Sequence, residues 1–404
     1  MMTTTPGAPS RQRTIITAAC FAVQAVGVGT YIAYGVFFTP LMEEFGWSRA
    51  LISGASSAAF IVGGLFAILV GRLNDRVGPR AIMTLAAIIY GRGYALMARV
   101  DSVAQLYLTF GLIFGVGLSA IDVIALSTIA RWFSHNRGKI TGIVKVGTGA
   151  GQFVIPLLAG FLIHQLGFRT AFVILGTGAG LLLLIIAQFL RRDPGTTSPD
   201  APAEARNDTG LSASQAMKTL DFKLLFLANL LLVAVLMSIM IHMVPHARDL
   251  GIPPQQAAGL LAAIGAVSMV GRFTSGFIID KTGSKPIMLS CFVLLMAALV
   301  WLPQAQTLTG LYLFTLVYGL AHGGCFTAIS PLTAELFGLR AHGNLFGLVV
   351  FAGTAGGAVG PLLTGWIFDI NKTYTPAFML LIIIALIAYV FFSNLKPGTK
   401  KEEC

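Results

Sequence analysis

Twelve long apolar runs, each almost free of charged residues, most constrain what this chain can fold into. They lie at about 14–38, 50–70, 81–98, 105–130, 139–163, 169–190, 221–245, 256–279, 286–304, 308–334, 342–367 and 376–394. A run of roughly 18 or more apolar residues without charge is typical of a helix that crosses a lipid bilayer. We therefore predict an all-α, polytopic membrane protein with twelve transmembrane helices in the bilayer.

The scarcity of charge excludes several other classes of protein. Only 11% of the 404 residues are charged, whereas an average soluble chain carries about 25%. A disordered chain depends on charge, and a soluble enzyme needs polar surfaces that this composition does not supply. The sequence contains no HExxH, GxSxG or GxxxxGK[ST] motif and no carboxylates at metal-ligand spacing. We expect no enzymatic activity, no cofactor and no metal.

A polar stretch divides the apolar runs into two groups of six. Residues 191–218 hold three prolines among Thr, Ser, Asp and Arg residues. Such a composition is typical of a flexible linker. We therefore predict an N-terminal six-helix bundle at 1–190, a cytoplasmic linker at 191–218 and a C-terminal six-helix bundle at 219–404.

The two groups of runs carry the same sequence pattern. We predict a loop at GRLNDRVGPR (71–80), after the second run, and another at GFIIDKTGSK (276–285), after the eighth. Their matching positions, and two glycines further along each group, are separated by 205 residues: Gly71/Gly276, Asp75/Asp280, Arg76/Lys281, Gly78/Gly283, Arg80/Lys285, Gly138/Gly343 and Gly142/Gly347. A constant offset across separate motifs indicates duplication of a six-helix unit in the same orientation, as in transporters built around a central two-fold axis.

The positions of the positive charges predict how the chain is oriented. Nineteen of the 27 Lys and Arg residues lie on the side of the N-terminus, five lie on the other side, and Arg92, Lys145 and Arg272 lie inside apolar runs. Because cytoplasmic loops carry an excess of Lys and Arg, we expect both termini in the cytoplasm and the protein in the cell's inner (plasma) membrane. The net charge of +11 is then an orientation signal. We expect neither a nucleic acid partner nor an obligatory protein partner.

Three segments resemble a known family of membrane carriers. GRLNDRVGPR (71–80) matches the G-x-L-x-D-R-x-G-x-R pattern of the major facilitator superfamily. The segments RWFSHNRGKITGIVKVGTGAGQ, from Arg131, and HMVPHARDLGIPPQQAA, from His242, resemble the bacterial branch of the monocarboxylate transporter family and its oxalate/formate relatives. The resemblance covers essentially the whole chain. It implies the major facilitator fold and a carrier that works by alternating access, moving a small organic anion with a proton or against another anion.

Physical chemistry suggests that the 71–80 segment is part of a conformational latch. Gly71 and Gly78 allow close backbone approach, and Asp75 can accept hydrogen bonds from a helix N-terminus or from Arg131. Such contacts would hold the cytoplasmic ends of the two halves together in one state and break in the other. The alternative is a basic loop that only sets orientation. The predicted latch consists of Gly71, Asp75, Arg76, Gly78, Arg80, Arg131, Asp280 and Lys281.

Arg272 is the first candidate for binding the substrate. An ionisable residue at membrane depth costs about 3 kcal/mol or more. Arg272 precedes Asp280 by eight residues, which places it about 12 Å from the cytoplasmic end at 1.5 Å per residue. Its planar guanidinium suits a carboxylate, and its position resembles that of an arginine in the eighth span of monocarboxylate transporters. The alternative is a structural ion pair with an acidic neighbour.

Asp122 and Lys145 form a second candidate group. They lie at nearly equal depth on consecutive spans, four and five, which run antiparallel. A neutralising buried pair is one interpretation. The other is that the pair loosens during transport, so that Asp122 takes a proton or Lys145 meets the anion. The two interpretations are compatible.

Further candidates lie in spans one and ten. An imidazole ordinarily titrates near the working pH range, so His322 could relay protons or contact the substrate, although a histidine bonded to a backbone carbonyl is the alternative. Tyr31, Tyr34 and Tyr318 could offer hydroxyls to a carboxylate. Aromatic residues in membrane spans also serve as packing or belt residues, which is the alternative for all three.

The chain departs from the family it resembles at three positions. Animal monocarboxylate transporters carry a lysine in span one and an aspartate one turn before the span-eight arginine, and the aligned residues here are Ile32 and Ser268. Oxalate carriers use a second cation in span eleven, where the aligned position is near Gly353. Proton coupling would therefore rest on other groups, for which Asp122, Lys145 and His322 are the candidates.

These observations predict a secondary active transporter of small monocarboxylates, lactate- or pyruvate-like. We expect it to couple transport to protons by symport and to work by rocker-switch alternating access. The alternative is an organic anion exchanger of the oxalate/formate type.

Overall fold

A computed structural model describes residues 10–133, 135–192 and 210–396. This part of the chain is helical, and its only extended pairing is an isolated bridge between Gly210 and Gly338. The long helices are α1 (Ser10–Ala33), α2 (Arg49–Val77), α3 (Pro79–Leu96), α4 (Val103–Trp132), α5 (137–166), α6 (168–187), α7 (Leu220–Asp249), α8 (Pro254–Thr282), α9 (Ser284–Trp301), α10 (Leu308–Phe337), α11 (His342–Asn371) and α12 (Thr375–Ser393).

Helices α5 and α6 arise from one long apolar segment. In the described part of the chain, eleven helical segments are long and apolar enough to cross a membrane, and one of them, Arg137–Ala187, has 51 residues. Gly167 interrupts this segment with φ 77° and ψ 159°, a conformation that glycine adopts far more readily than residues with a Cβ. The segment therefore supplies two spans. The predicted all-α architecture with twelve transmembrane helices is confirmed.

Local sequence signals account for where several helices begin. α2, α4, α7 and α10 each follow a Ser or Thr whose hydroxyl accepts a hydrogen bond from a backbone N–H of the first turn: Ser48, Ser102, Thr219 and Thr307. These N-caps satisfy donors that would otherwise have no partner in the helix.

The sequence predicted a loop at 71–80, but the structure shows a helix end, a tight turn and the start of the next helix there. α2 continues through this segment to Val77, Gly78 turns the chain with φ 106°, and Pro79 begins α3. The repeat behaves in the same way, because α8 continues to Thr282 and Gly283 turns the chain with φ 85°. The aspartates of the two segments therefore project from rigid helix ends, which fixes their direction more firmly than a loop would.

The first six and the last six long helices pack mainly among themselves. α1 lies against α4 and α5, and α3 lies against α6; correspondingly, α7 lies against α11 and α12, and α8 lies against α10. The two sets meet where α2 packs on α11 and where α5 packs on α8. This packing agrees with two duplicated bundles, and their division at 1–190 and 219–404 stays a prediction.

Small residues allow the two sets of helices to approach closely near the chain termini. A Cβ on Gly71 of α2 would collide with the carbonyl of Gly343 on α11. A Cβ on Gly142 of α5 would lie 2.6 Å from the carbonyl oxygen of Arg272 on α8. Both contacts require glycine, so three of the repeated glycine pairs lie between the two sets: Gly71/Gly276, Gly138/Gly343 and Gly142/Gly347.

Helices α5 and α8 separate towards the opposite end of the bundle. Phe153 lies one turn beyond Gly149 on the face of α5 that meets α8, yet it is 68% exposed. Gly265 lies on the facing side of α8, and a Cβ there would have no atom within 4 Å. The bundle is therefore closed at the end where α1 begins and α12 ends, and it opens between α5 and α8 at the other end.

The predicted linker is partly structured. Residues 193–209 lie outside the described residues. At its C-terminal end, Ala213–Lys218 forms a short helix with a capping box between Ser212 and Gln215. The backbone N–H of Leu211 also donates to the carbonyl of Phe337 at 3.0 Å. The last part of the stretch is thus attached to the end of α10 instead of being a free tether.

Candidate functional site

A buried ion pair lies at the centre of the bundle. Nζ of Lys145 on α5 is 2.5 Å from Oδ1 of Asp122 on α4. The lysine side chain is 6% exposed, whereas the aspartate side chain is 38% exposed. Most residues of α4 around Asp122 are buried, so the aspartate faces a space within the bundle that is wide enough for water to contact its carboxylate.

Gln24 on α1 holds this ion pair in place. Its Nε2 donates to Oδ1 of Asp122 at 2.9 Å, and its Oε1 accepts from Oγ1 of Thr148 at 2.8 Å and from Nζ of Lys145 at 3.5 Å. Gln24 is fully buried. The sequence reasoning overlooked it, although an amide within an apolar run is itself a signal, because buried polar groups need partners.

Arg272 joins the cluster from the other set of helices. Nη1 of Arg272 on α8 donates to the backbone carbonyl of Lys145 on α5 at 3.1 Å. The residue is 5% exposed, and its Nε has no hydrogen-bond partner among the described residues. Arginine carries five N–H donors, so the guanidinium retains donors for an anion after it has bound the carbonyl.

Ser268 and His322 lie beside Arg272. Ser268 is one turn before Arg272 on α8, and its Oγ is 3.0 Å from Nδ1 of His322 on α10. His322 is 6% exposed, and its Nε2 has no partner among the described residues. A Cβ on the neighbouring Gly323 would lie 2.8 Å from the backbone N of Arg272, which is how the imidazole comes so close to α8.

The cluster has an unbalanced charge. Arg272 and Lys145 are cations and Asp122 is the carboxylate of the ion pair, so these three groups sum to one positive charge. The excess cation lies where α1, α4, α5, α8 and α10 meet, and low-dielectric surroundings strengthen its attraction for an anion. One small monoanion would neutralise it.

The three candidate tyrosines differ in what their hydroxyls do. Tyr34 donates to the carbonyl of Ile52 at 3.0 Å, and Tyr318 donates to the carbonyl of Leu236 at 2.7 Å. Both are buried, and each fastens two helices of the same set. In this conformation neither hydroxyl has a proton left for a substrate carboxylate, which departs from the predicted role.

Tyr31 retains that possibility. It is half-buried, and its hydroxyl accepts a hydrogen bond from Oγ of Ser56 at 3.1 Å. Its own proton is therefore available to another acceptor. The ring stacks on Phe60, Phe110 and Phe114, so its orientation is fixed by packing.

Asp75 bridges the two sets of helices at the closed end. Its carboxylate, at the end of α2, accepts from the backbone N–H groups of Gly343 at 3.1 Å and Asn344 at 2.9 Å, which begin α11. It also forms an ion pair with Arg131 of α4. A carboxylate at a helix N-terminus is stabilised by unpaired N–H groups and by the helix dipole.

Asp280 makes the same contact in the other direction. Its carboxylate, at the end of α8, accepts from the backbone N–H groups of Gly138 at 2.7 Å and Lys139 at 2.8 Å, which begin α5. The position that corresponds to Arg131 in this repeat is Leu336, so the described residues give Asp280 no matching arginine. The two bridges are therefore related by symmetry, but among the described residues only Asp75 forms a direct ion pair with an arginine, while Arg137 acts on Asp280 from a longer distance.

The remaining basic residues of the predicted latch, Arg76, Arg80 and Lys281, do not connect the two sets. Nε of Arg80 donates to Gln188 of α6 within the first set at 2.9 Å. The side chains of Arg76 and Lys281 are exposed. Arg92, which the sequence placed inside a span, is exposed on α3, away from the central cluster.

Comparison with known proteins identifies the family. The profile of the Major Facilitator Superfamily matches residues 19–312 and 225–403, two stretches that together span most of the chain. The chain belongs to the major facilitator superfamily. It is therefore a multi-pass membrane transporter and not an enzyme, as the sequence predicted.

Relatives within the superfamily include monocarboxylate transporters. The chain is 25% identical to mouse monocarboxylate transporter 12 over 91% of its own length and 82% of the relative's. It is 26% identical to bovine monocarboxylate transporter 13 over 90% and 85%, respectively. The predicted resemblance to monocarboxylate transporters is confirmed. The crystal structure of the human organic anion transporter MFSD10 matches with a TM-score of 0.77 at 16% identity, covering 95% of this chain and 100% of that one, which confirms the fold.

Proposed function

We propose that this major facilitator transporter carries small monocarboxylates, lactate- or pyruvate-like, together with a proton. The observation that carries the proposal is Arg272, a guanidinium buried at the meeting of the two sets of helices with Nε unpartnered among the described residues. The excess of one positive charge in its cluster favours a monoanion over a dianion. The monocarboxylate transporters among its relatives support the same class of substrate.

Substrate binding would begin at Arg272. Its free donors would bind the carboxylate in a forked arrangement, which is the geometry that guanidinium and carboxylate groups favour. The adjacent imidazole of His322 could then contact the substituent on the next carbon, since its Nε2 has no partner among the described residues. Tyr31 would add a hydroxyl from α1.

Proton coupling would pass through Asp122. Its carboxylate is paired with Lys145 and 38% exposed, so a proton can reach it from the open space. Protonation would release Lys145 from its partner and raise the positive charge beside Arg272. A proton and an anion would then favour each other's binding, which is the requirement for symport.

Alternating access would use the contacts at the closed end as a latch. Asp75 and Asp280 would hold this conformation, and their release from the N-termini of α11 and α5 would allow the six-helix halves to rock about the central cluster. We place the closed end in the cytoplasm and the protein in the cell's inner (plasma) membrane, following the distribution of Lys and Arg.

Purified protein in proteoliposomes tests the proposal. An inward proton gradient should drive accumulation of labelled lactate into vesicles that contain no anion, and a protonophore should abolish it. The alternative, an organic anion exchanger of the oxalate/formate type, predicts uptake only into vesicles preloaded with anion and no response to the gradient. That second result would contradict the symport proposal while leaving the carboxylate site intact.

The Arg272→Gln variant distinguishes the site from the coupling. Loss of lactate binding in this variant supports the assignment of the carboxylate to Arg272. Uptake at the wild-type rate would contradict it, whichever coupling mechanism operates.

A further inference from the structure

A cleft outside the central site lies between the ends of α2, α3 and α6. It has a volume of about 740 Å³ and is lined by three arginines and no acidic residue: Arg80, Arg191 and Arg192. Its other wall is apolar and includes Leu85, which is 56% exposed, and Ile88. The cleft therefore presents a cationic rim beside an apolar wall on the outer surface of the bundle.

The arginines of the cleft are held by neutral groups. Nε of Arg80 donates to Oε1 of Gln188 at 2.9 Å, and Nη2 of Arg192 donates to the backbone carbonyl of Arg76 at 2.5 Å. The carbonyl of Arg191 accepts from Nε1 of Trp132 at 2.8 Å, which fixes the backbone there. None of the ion pairs formed by the described residues involves these three arginines, so no carboxylate in the described part of the chain neutralises them.

A second, very small cavity adjoins the cleft. Arg191 and Arg192 line both spaces, and the cavity is also lined by Asn74 and Thr128. Oδ1 of Asn74 and Oγ1 of Thr128 are buried and have no hydrogen-bond partner among the described residues. Because buried polar atoms are nearly always hydrogen-bonded, these two atoms indicate that one water is bound beside the arginines.

We propose that this cleft binds an anionic phospholipid. The phosphodiester would lie against Arg80, Arg191 and Arg192, since guanidinium groups bind phosphate oxygens through paired donors. An acyl chain would follow the apolar wall at Leu85 and Ile88. Basic pockets at the ends of transmembrane helices are suited to lipid head groups. A soluble phosphate would use the arginines but would gain nothing from the apolar wall.

The lipid site is connected to the contacts at the closed end. Nη2 of Arg192 is also 3.2 Å from the backbone carbonyl of Asp75, whose carboxylate accepts from the start of α11. A phosphate on Arg192 would compete with these carbonyls at the end of α2. The lipid would therefore act on the helix end that bridges the two sets of helices.

Native mass spectrometry of the full chain tests this proposal. The protein would be delipidated, mixed with equal amounts of phosphatidylglycerol and phosphatidylcholine, and scored for the lipid retained. We expect wild type to prefer phosphatidylglycerol. The triple variant Arg80→Gln, Arg191→Gln and Arg192→Gln should lose about 10- to 100-fold in affinity, since each arginine near an anionic lipid surface contributes up to about fivefold.

A matched variant controls for overall charge. This control is a triple variant that replaces three exposed arginines on the same side of the bundle: Arg11→Gln, Arg13→Gln and Arg340→Gln. It should retain the preference for phosphatidylglycerol. Equal retention by the two triple variants would overturn the proposal. Release of the lipid by inorganic phosphate alone would assign the cleft to a soluble anion and overturn it as well. If the cleft variant fails to fold, Leu85→Ser removes part of the apolar wall instead, and unchanged lipid affinity in that variant would overturn the assignment.

Discussion

The guanidinium of Arg272 donates to the backbone carbonyl of Lys145 at 3.1 Å. This bond joins α8 to α5 across the meeting of the two sets of helices. It places a cation from one set beside the ion pair of the other, so residues of both sets surround the excess positive charge of the cluster. An anion bound there would interact with both.

Replacement of Arg272 tests the anion site. We expect Arg272→Gln to weaken lactate binding at least about 30-fold, because truncating one partner of a buried charge interaction costs about 2–5 kcal/mol. The matched control is Arg92→Gln, which removes an exposed arginine from α3 and should leave binding unchanged. Ligand-induced thermal stabilisation of the purified variants measures the effect. Equal losses in both variants would show that charge in general is responsible.

Replacement of Asp122 tests the ion pair. Asp122→Asn leaves Lys145, whose side chain is 6% exposed, without its anionic partner. We expect the variant to lose about 3 kcal/mol of stability, read as a lower midpoint of thermal unfolding. Adding Lys145→Met should restore most of that loss, because the buried charge is removed.

The same double variant also tests proton coupling. If Asp122 carries the proton, Asp122→Asn with Lys145→Met should fold well and yet fail to accumulate lactate along a proton gradient. Exchange of labelled for unlabelled lactate, which needs no net proton movement, should persist. Accumulation at the wild-type level would show that the pair is only structural.

The two aspartate bridges should contribute unequally to the closed end. Asp75 has two backbone N–H partners and Arg131, whereas Asp280 has two backbone N–H partners. We expect Asp75→Asn to shift the population towards the form open at this end more than Asp280→Asn does. Contacts of a charge with a helix N-terminus contribute about 0.3–2 kcal/mol, so each shift should be between about twofold and 30-fold.

Distance measurements would detect that shift. Spin labels at the exposed positions 72 on α2 and 340 before α11 report the separation of the two sets by double electron–electron resonance. A larger effect of Asp280→Asn would contradict the ranking of the two bridges.

The glycine seam between α5 and α8 should be intolerant of a methyl group. A Cβ on Gly142 would lie 2.6 Å from the carbonyl oxygen of Arg272, so we expect Gly142→Ala to lower stability by about 1–3 kcal/mol through overpacking. Gly178→Ala is the matched control, because a Cβ there would have no atom within 4 Å. Alanine is preferred over glycine in a helix by about 1 kcal/mol, so the control should raise the thermal midpoint. A rise in both variants would show that α5 can move away from α8 without cost.

Much of the fold could be predicted from the sequence because the bilayer limits the possible structures. Apolar runs of this length must satisfy their backbone hydrogen bonds internally, so they become helices. Even the break between α5 and α6 coincides with a gap between apolar runs, at Gly167. The 71–80 segment was wrongly interpreted as a loop because its polar residues mark the membrane boundary, whereas helical hydrogen bonding continues to Val77.

The candidate site was only partly accessible to sequence reasoning. A charge inside an apolar run is costly wherever it lies, so the sequence predicted Arg272, Asp122 and Lys145 as site residues. Gln24 was not predicted, because burying an amide costs less free energy than burying a charge. The four hydrogen bonds of its side chain form only when α1, α4 and α5 pack together. The hydroxyls of Tyr34 and Tyr318 could likewise not be assigned to backbone carbonyls before the neighbouring helices were known.

The sequence by itself determined that this chain is a twelve-helix membrane protein with a duplicated pattern. Hydropathy and repeat spacing depend only on the order of the residues, so they can be read without knowing how the helices pack. Only the tertiary structure decided which charges meet. Asp122 and Lys145 are 23 residues apart, and Lys145 and Arg272 are 127 residues apart. The strength of the interaction between such charges depends on their distance and on their burial. Helix packing determines both the distance and the burial.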